Sequence, residues 1–286
     1  MGKKSRRDRE KAPKKKRVQF VDRPFEGLDF EARLVAMREI VPAATLRVKL
    51  NENHGGEEAL IVSVLPGMAS AARREDGVAM AAAQTVMSSG DASLDIADRL
   101  LAALELKPGE TAAASELPDA DGERLADVLD LTFDAEFTTY PNFAFWVSAD
   151  ELAKPDVKAA VEETAGQMVP TVEVEGFEGA FWCRMQREFV RWVRPEAEAE
   201  MLDALARLQA ARELNFDGAV FKGAFRSSGL LTPVWELERG TEADELVGPL
   251  GDFTAKLDAA LAQTAPLTPE ERRARSGIVS RQLTLR

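Results

Sequence analysis

The sequence predicts an α+β fold in which antiparallel sheets are covered by amphipathic helices, behind a disordered basic N-terminal tail. Three observations predict it. Stretches that alternate apolar and polar residues, the period of a strand with one wet face, are interleaved with apolar residues at three- and four-residue steps. Helical runs containing LLAALEL, LDALARL and LDAALAQ each follow a strand and a polar or proline cap, in segments starting near Gly77, Phe189 and Leu230, which reads as repeated ββα units. Charge is also segregated. Residues 1–17 carry ten Lys and Arg against Asp8 and Glu10, a balance of +8. Residues 18–286 carry 27 bases and 47 acids, a balance of −20 within a net −12.

Taken in order, residues 1–20 have no apolar periodicity before Val18, and their composition cannot repay the entropy of folding. From Asp29, Phe30, Leu34, Met37 and Val41 step along one helix face until Pro42 ends it. Thr45–Leu50, Glu57–Leu65 and Gly77–Met87 read as strands, the last two around a turn at Arg73–Gly77. Ser88-Ser-Gly-Asp91 caps a helix carrying Leu94, Ala97, Leu101 and Leu104. Residues 107–124, rich in Pro, Gly, Ala, Ser and acid, read as a boundary loop, which divides the chain into a tail (1–20), an N-terminal half (21–124) and a C-terminal half (125–286).

In the second half, Asn142–Val147 reads as a buried strand, and Pro155 opens a helix with Val157, Val161, Thr164 and Met168 on one side. Val172 and Val174 alternate with Glu173 and Glu175, and Phe181–Val193 reads as one further strand before Pro195. Met201, Leu202, Leu205 and Leu208 mark an amphipathic helix. Phe216–Arg226 and Leu230–Leu237 read as a hairpin around Ser227-Ser-Gly229, with Pro233 placing its second strand at an edge. Leu246, Leu250, Phe253, Leu257 and Leu261 give a long helix. Thr268, Pro269 and Glu271 give a capping box before a basic, partly apolar C-terminus suited to adding a strand.

Composition excludes several chemistries. Cys183 is the only cysteine, so no internal disulfide and no multi-cysteine metal site forms within one chain. No apolar run approaches the roughly 18 residues of a membrane span, and the basic N-terminus lacks the hydrophobic region of a secretory signal, so a cytoplasmic location is expected. His54, the only histidine, sits in a Gly/Glu/Asn-rich loop with no nucleophile motif elsewhere, and no glycine-rich phosphate loop joins a strand to a helix. No cofactor, metal ligand set or catalytic residue is predicted. Carboxylates that a sheet would bring together, such as Asp217 with Glu236 or Glu173 with Glu175, read first as solvated faces of an acidic body.

Two groups are candidate binding residues. The tail cations Lys3, Lys4, Arg6, Arg7, Arg9, Lys11, Lys14, Lys15, Lys16 and Arg17 form an electrostatic anchor for polyanions such as RNA, the ribosome or an anionic surface. Trp182 and Trp192, interleaved with Arg184, Arg187 and Arg191, form a candidate partner-binding ribbon, with a protein preferred to RNA because the body is acidic.

RPFEGL, VAMREIVPAAT, FWC, RWVRP, LDALARL and LTPEERRARSGIVSRQLTL, in this order, resemble the actinobacterial domain of unknown function 5926 across nearly everything after the tail. The resemblance implies a bacterial cytosolic protein and assigns no chemistry. Several relatives begin with a cysteine-rich SEC-C zinc motif; this sequence has the Lys/Arg tail in that region instead. If the two N-termini do equivalent work, the shared task is tethering to the ribosome, the secretion machinery or another anionic surface.

The expected function is that of a non-enzymatic binding or adaptor protein, its tail held to an anionic surface while its body engages a protein partner. The alternatives are a carboxylate-based hydrolase or transferase on the acidic sheets, and a structural homo-oligomer.

Overall fold

The computed structural model describes residues 16–113, 116–166, 168–281 and the backbone of 283–284, so the tail expectation for residues 1–15 lies outside the described residues. The chain runs α1 (Glu31–Glu39), β1 (Ala44–Lys49), β2 (Glu58–Val62), β3 (Ala71–Arg73), β4 (Ala79–Ala82), α2 (Ala92–Glu105), β5 (Thr111–Ala112), α3 (Leu125–Val128) and β6 (Glu136–Thr139). It continues through α4 (Ala149–Leu152), α5 (Pro155–Ala165), β7 (Thr171–Glu173), β8 (Ala180–Arg184), β9 (Glu188–Trp192), α6 (Glu198–Ala211), β10 (Val220–Ser227), β11 (Leu230–Glu236), α7 (Val247–Leu261), α8 (Pro269–Val279) and β12 (Leu283–Thr284).

Two six-stranded sheets result, β5-β3-β4-β2-β1-β6 and β12-β10-β11-β9-β8-β7. Every neighbouring pair is antiparallel except β2/β4 and β10/β12, so the fold is α+β. The hairpins β3–β4, β8–β9 and β10–β11 are followed by α2, α6 and α7 respectively, three ββα units. The first sheet takes its last strand, β6, from beyond residue 124.

The halves share a core. Leu46, Ile61, Ala79 and Ala81 on one face of the first sheet are covered by α1 and α2 together with Phe181, Val193 and Leu230 of the second sheet. Phe181 is fully buried and meets Phe137 of β6 edge to face at 5.9 Å between centroids. Burying such a ring is worth about 1.5–3 kcal/mol. The intervening positions Val62, Met80 and Ala82 face the other way, onto Phe145, as the two-residue period of a strand requires. A separate core lies beneath α6 and α7, where Trp235, Phe253 and Phe216 pack ring against ring.

Four expectations are corrected. Asn142–Val147 is no strand: Ala144–Trp146 is a 3-10 turn, started by Asn142 Oδ1 accepting the Ala144 N–H at 3.0 Å. It stacks Phe143 flat on Trp146 at 4.1 Å, a contact between positions i and i+3 that a strand would send to opposite faces. Phe181–Val193 is not one strand but the hairpin β8–β9, closed by the Met185 N–H donating to Arg187 O at 2.9 Å. Val172 is exposed while Thr171 is buried, because the short β7 turns its threonine inward. Pro233 lies in an internal strand, since β11 pairs with both β10 and β9; proline is tolerated because β9 pairs only Val234–Glu236.

Candidate functional site

The site is built where four segments converge at the seam between the sheets. Leu34, Val35 and Met37 bury one face of α1, which leaves Arg38 in its last turn, beside the N-terminus of α2 and the β10–β11 turn. That turn is tight: Ser228 (φ +48°) and Gly229 (φ +79°) adopt left-handed backbone, and a Cβ on Gly229 would lie 2.6 Å from Arg23 Cβ. The described N-terminal segment completes the wall. Val21 N–H donates to Gly90 O at 2.9 Å, Asp22 pairs with Arg226 at 3.2 Å, and Arg23 grips buried Glu31 with bonds of 2.8 and 2.7 Å.

These segments enclose a cleft of about 320 Å³ that opens past Arg38 and Ser88 into a second recess of about 200 Å³. Arg99 lines the recess, and its two terminal nitrogens donate to the carbonyls of Ala82 (2.8 Å), Ala83 (3.5 Å) and Met87 (3.1 Å). Asp95, 3.9 Å from Arg99, accepts from the Ser88 hydroxyl at 3.0 Å and the Ser89 N–H.

Arg38 is different. Its guanidinium makes one long hydrogen bond, 3.4 Å to Ser228 Oγ, and no carboxylate among the described residues lies within 4 Å of it. Arg23, Arg33, Arg73, Arg74, Arg194 and Arg226 are also partly buried, and each has such a carboxylate. Burial holds both Arg38 and Arg99 below the ordinary arginine pKa; at Arg38 the charges of Glu39 and Asp95 offset part of this. Both remain cationic at neutral pH. The cleft therefore holds a partly desolvated cation with unused donors.

The residues singled out in the sequence lie elsewhere. Lys3, Lys4, Arg6, Arg7, Arg9, Lys11, Lys14 and Lys15 are outside the described residues. Lys16 pairs with Asp121 at 2.7 Å and Arg17 is exposed. Trp182 and Trp192 are 4% and 3% exposed, and their indoles donate to Thr241 O and Glu178 O. A partner reaching the β8–β9 hairpin meets guanidinium rather than indole. Even there Arg184 is paired with Glu188 and Glu242, Arg187 lies 3.5 Å from Glu236, and Arg191 donates to Met185 Sδ.

His54 is a latch between Asn51 (2.8 Å) and Glu123 (3.1 Å). Cys183 is fully buried, which raises its thiol pKa. Glu236 is held by Lys222 at 3.0 Å, and Glu173 by the fork of Arg33. Among the described residues no three His, Cys, Asp or Glu converge on a metal position, and no helix is long and apolar enough to cross a membrane.

The family of unknown function DUF5926 matches residues 24–286, nearly the whole folded body. The chain belongs to this family. No curated protein and no solved structure matches it. The DUF5926 match begins at Pro24, which lines the Arg38 cleft, so the cleft's N-terminal wall straddles the start of the family's shared sequence.

Proposed function

We propose that this DUF5926 chain is a non-enzymatic binding protein of the cytosol whose basic N-terminus is held to an anionic surface while its body engages a partner at the Arg38 cleft. One observation carries the reading: in sequence the basic block ends three residues before Phe20, which lines a cleft whose arginine has no carboxylate within 4 Å among the described residues. The four residues from Phe20 back to Lys16 span at most about 14 Å. The acidic remainder of the body repels polyanions, so the approach of an RNA-rich or otherwise anionic surface is confined to this end. The test is binding of a labelled single-stranded RNA oligonucleotide by the intact chain and by one lacking residues 1–17. The intact chain binds and the shortened one does not; equal binding by both contradicts the proposal.

A second reading has its own observation. Glu178, Asp29 and Glu31 line a pocket of about 480 Å³ walled by Phe177 and Trp192. Burial raises the Glu178 pKa, Arg33 opposes that shift, and Glu173 and Asp29 add to it. A carboxyl whose pKa is raised in this way is better suited to act as a general acid. Glu31 and Glu173 are held by Arg23 and Arg33 at 2.7 and 3.2 Å, and Glu178 lies farther from Arg33, at 3.8 Å, so the reading rests on Glu178 and Asp29. Turnover of nitrophenyl esters or glycosides that disappears in Glu178→Gln would establish it, and absence of turnover in the intact chain would remove it.

A further inference from the structure

We infer that the Arg38 cleft binds a monocarboxylate carried on a compact apolar stem, its two oxygens taken by the Arg38 fork and its stem lying along Phe20 and Pro24. The inference rests on the reading of the cleft as a binding site and names what it takes.

Three properties select this class. The first is geometric. A guanidinium with unused N–H groups matches a planar carboxylate with two parallel hydrogen bonds, and Ser228 Oγ, 3.4 Å from Arg38, is placed to add a third donor. The second is charge. Arg99 faces the same recess, but both its terminal nitrogens already donate to backbone carbonyls and Asp95 lies 3.9 Å away, so Arg99 contributes chiefly field. The carboxylates of Asp22 and Glu39 also line the cleft; Asp22 is paired with Arg226, which leaves Glu39 as the lining acid with no salt bridge among the described residues. A single negative charge neutralises Arg38, whereas a second one would sit close to Glu39 and be opposed by it. This disfavours a phosphate dianion.

The third property is size and polarity. A cleft of about 320 Å³ with an adjoining recess falls in the range of small-ligand sites. Phe20, Val21, Pro24 and Ala92 make part of its lining apolar, and Phe20 is 69% exposed. A stem resting on that ring would lose water contact while the carboxylate relieves the desolvated arginine. Both a free aryl or branched-chain acid and the C-terminal residue of a peptide have this chemistry.

The experiment is titration calorimetry of the full chain with phenylacetate, acetate, inorganic phosphate, and an N-acetyl dipeptide ending in Phe as free acid or as amide. The expected result is saturable binding of phenylacetate at one site per chain, weaker binding of acetate, and no comparable binding of phosphate. Tighter binding of the dipeptide acid than of phenylacetate assigns the site to a protein C-terminus, and the reverse assigns it to a free acid; in either case the amide fails.

Arg38→Gln should weaken phenylacetate binding by about 10- to 100-fold, the worth of hydrogen bonds to a charged group. Arg187→Gln on the β8–β9 hairpin should leave it unchanged. Circular dichroism checks that Arg38→Gln folds. Should it not fold, Phe20→Ala, at an exposed position, provides the test by lowering phenylacetate affinity while sparing acetate. The inference is overturned by an intact chain that binds none of the carboxylates saturably, by phosphate binding as tightly as phenylacetate, by a folded Arg38→Gln chain with unchanged affinity, or by Phe20→Ala leaving phenylacetate unaffected. Loss of RNA binding on removing residues 1–17 concerns the tail alone, so the two readings fail separately.

Discussion

Gly179 shows how closely the seam is fitted. Its φ is +75°, and a Cβ there would lie 2.5 Å from Val193 O and 3.2 Å from Ala32 Cβ, so the second sheet approaches α1 as near as a glycine allows. Gly179→Ala combines a left-handed strain with a backbone collision that no flexible side chain can relieve. It should lower the unfolding free energy by about 1–3 kcal/mol, read from the urea midpoint; an unchanged midpoint would mean that the seam is looser than described. At this scale the sequence is legible where a residue's company is local. Asp91 announces itself as a cap through Ser88-Ser-Gly, and it accepts from the Ser93 and Leu94 N–H groups. Arg38 does not announce itself. In sequence it is a base in the last turn of a helix, an ordinary complement to the helix dipole. What distinguishes it is that it meets Ser228, 190 residues away, with no carboxylate within 4 Å among the described residues. Trp182 and Trp192 mislead in the opposite direction, since alternation with arginine looks like a mixed surface. Yet Arg184 and Arg194 lie over the faces of those two indoles at 4.8 and 4.6 Å while the rings remain buried.

Among the elements, α8 has the clearest start. Thr268 N–H donates to Glu271 Oε2 at 2.6 Å, and Glu271 N–H donates to Thr268 Oγ1 at 3.3 Å. The helix then buries Ile278 and pairs Arg275 with Asp203 of α6 at 2.7 Å. Thr268→Ala should cost about 1 kcal/mol in a thermal or urea melt at neutral pH. The hydrogen bond from the Thr268 backbone, followed by that with its side chain, holds the Glu271 carboxyl below the usual glutamate range. A group depressed in the folded state stabilises it above the unfolded value and loses that contribution as pH falls through the folded value. The penalty of Thr268→Ala should therefore shrink on acidification below about pH 4; a constant penalty would show that the box does not form. Long helices were readable because 14 or 15 residues repeat the 3.6 period several times, as in α2, α6 and α7. β3 and β5 escape the sequence because two or three residues cannot display a period of two; their place is fixed by their neighbours in the sheet. The 3-10 turn at Ala144–Trp146 reads as a strand in sequence because six mostly apolar residues have the composition of either, and stacking of Phe143 on Trp146 decides between them.

For the whole molecule, the shared core and the segregated charge together define the account. Phe181, Val193 and Leu230 close the core of the first sheet, so the halves on either side of the 107–124 loop are joined by buried side chains as well as by sequence. That joint creates the cleft, with α1 and α2 from one half and the β10–β11 turn from the other. The segment that lines its mouth, from Phe20 to Pro24, directly follows residues 1–17, a block carrying +8 ahead of a remainder carrying −20. The polyanion contact should be electrostatic and local to the N-terminus, and the salt dependence of single-stranded RNA binding by the intact chain measures this most directly. If about five tail charges meet phosphates, log affinity should fall against log salt with a slope of about −3.5, so that doubling the salt weakens binding by about tenfold. Removal of residues 1–17 should abolish the slope together with the affinity. An affinity that stays flat between low and moderate salt, or that keeps its slope in the shortened chain, would contradict the account.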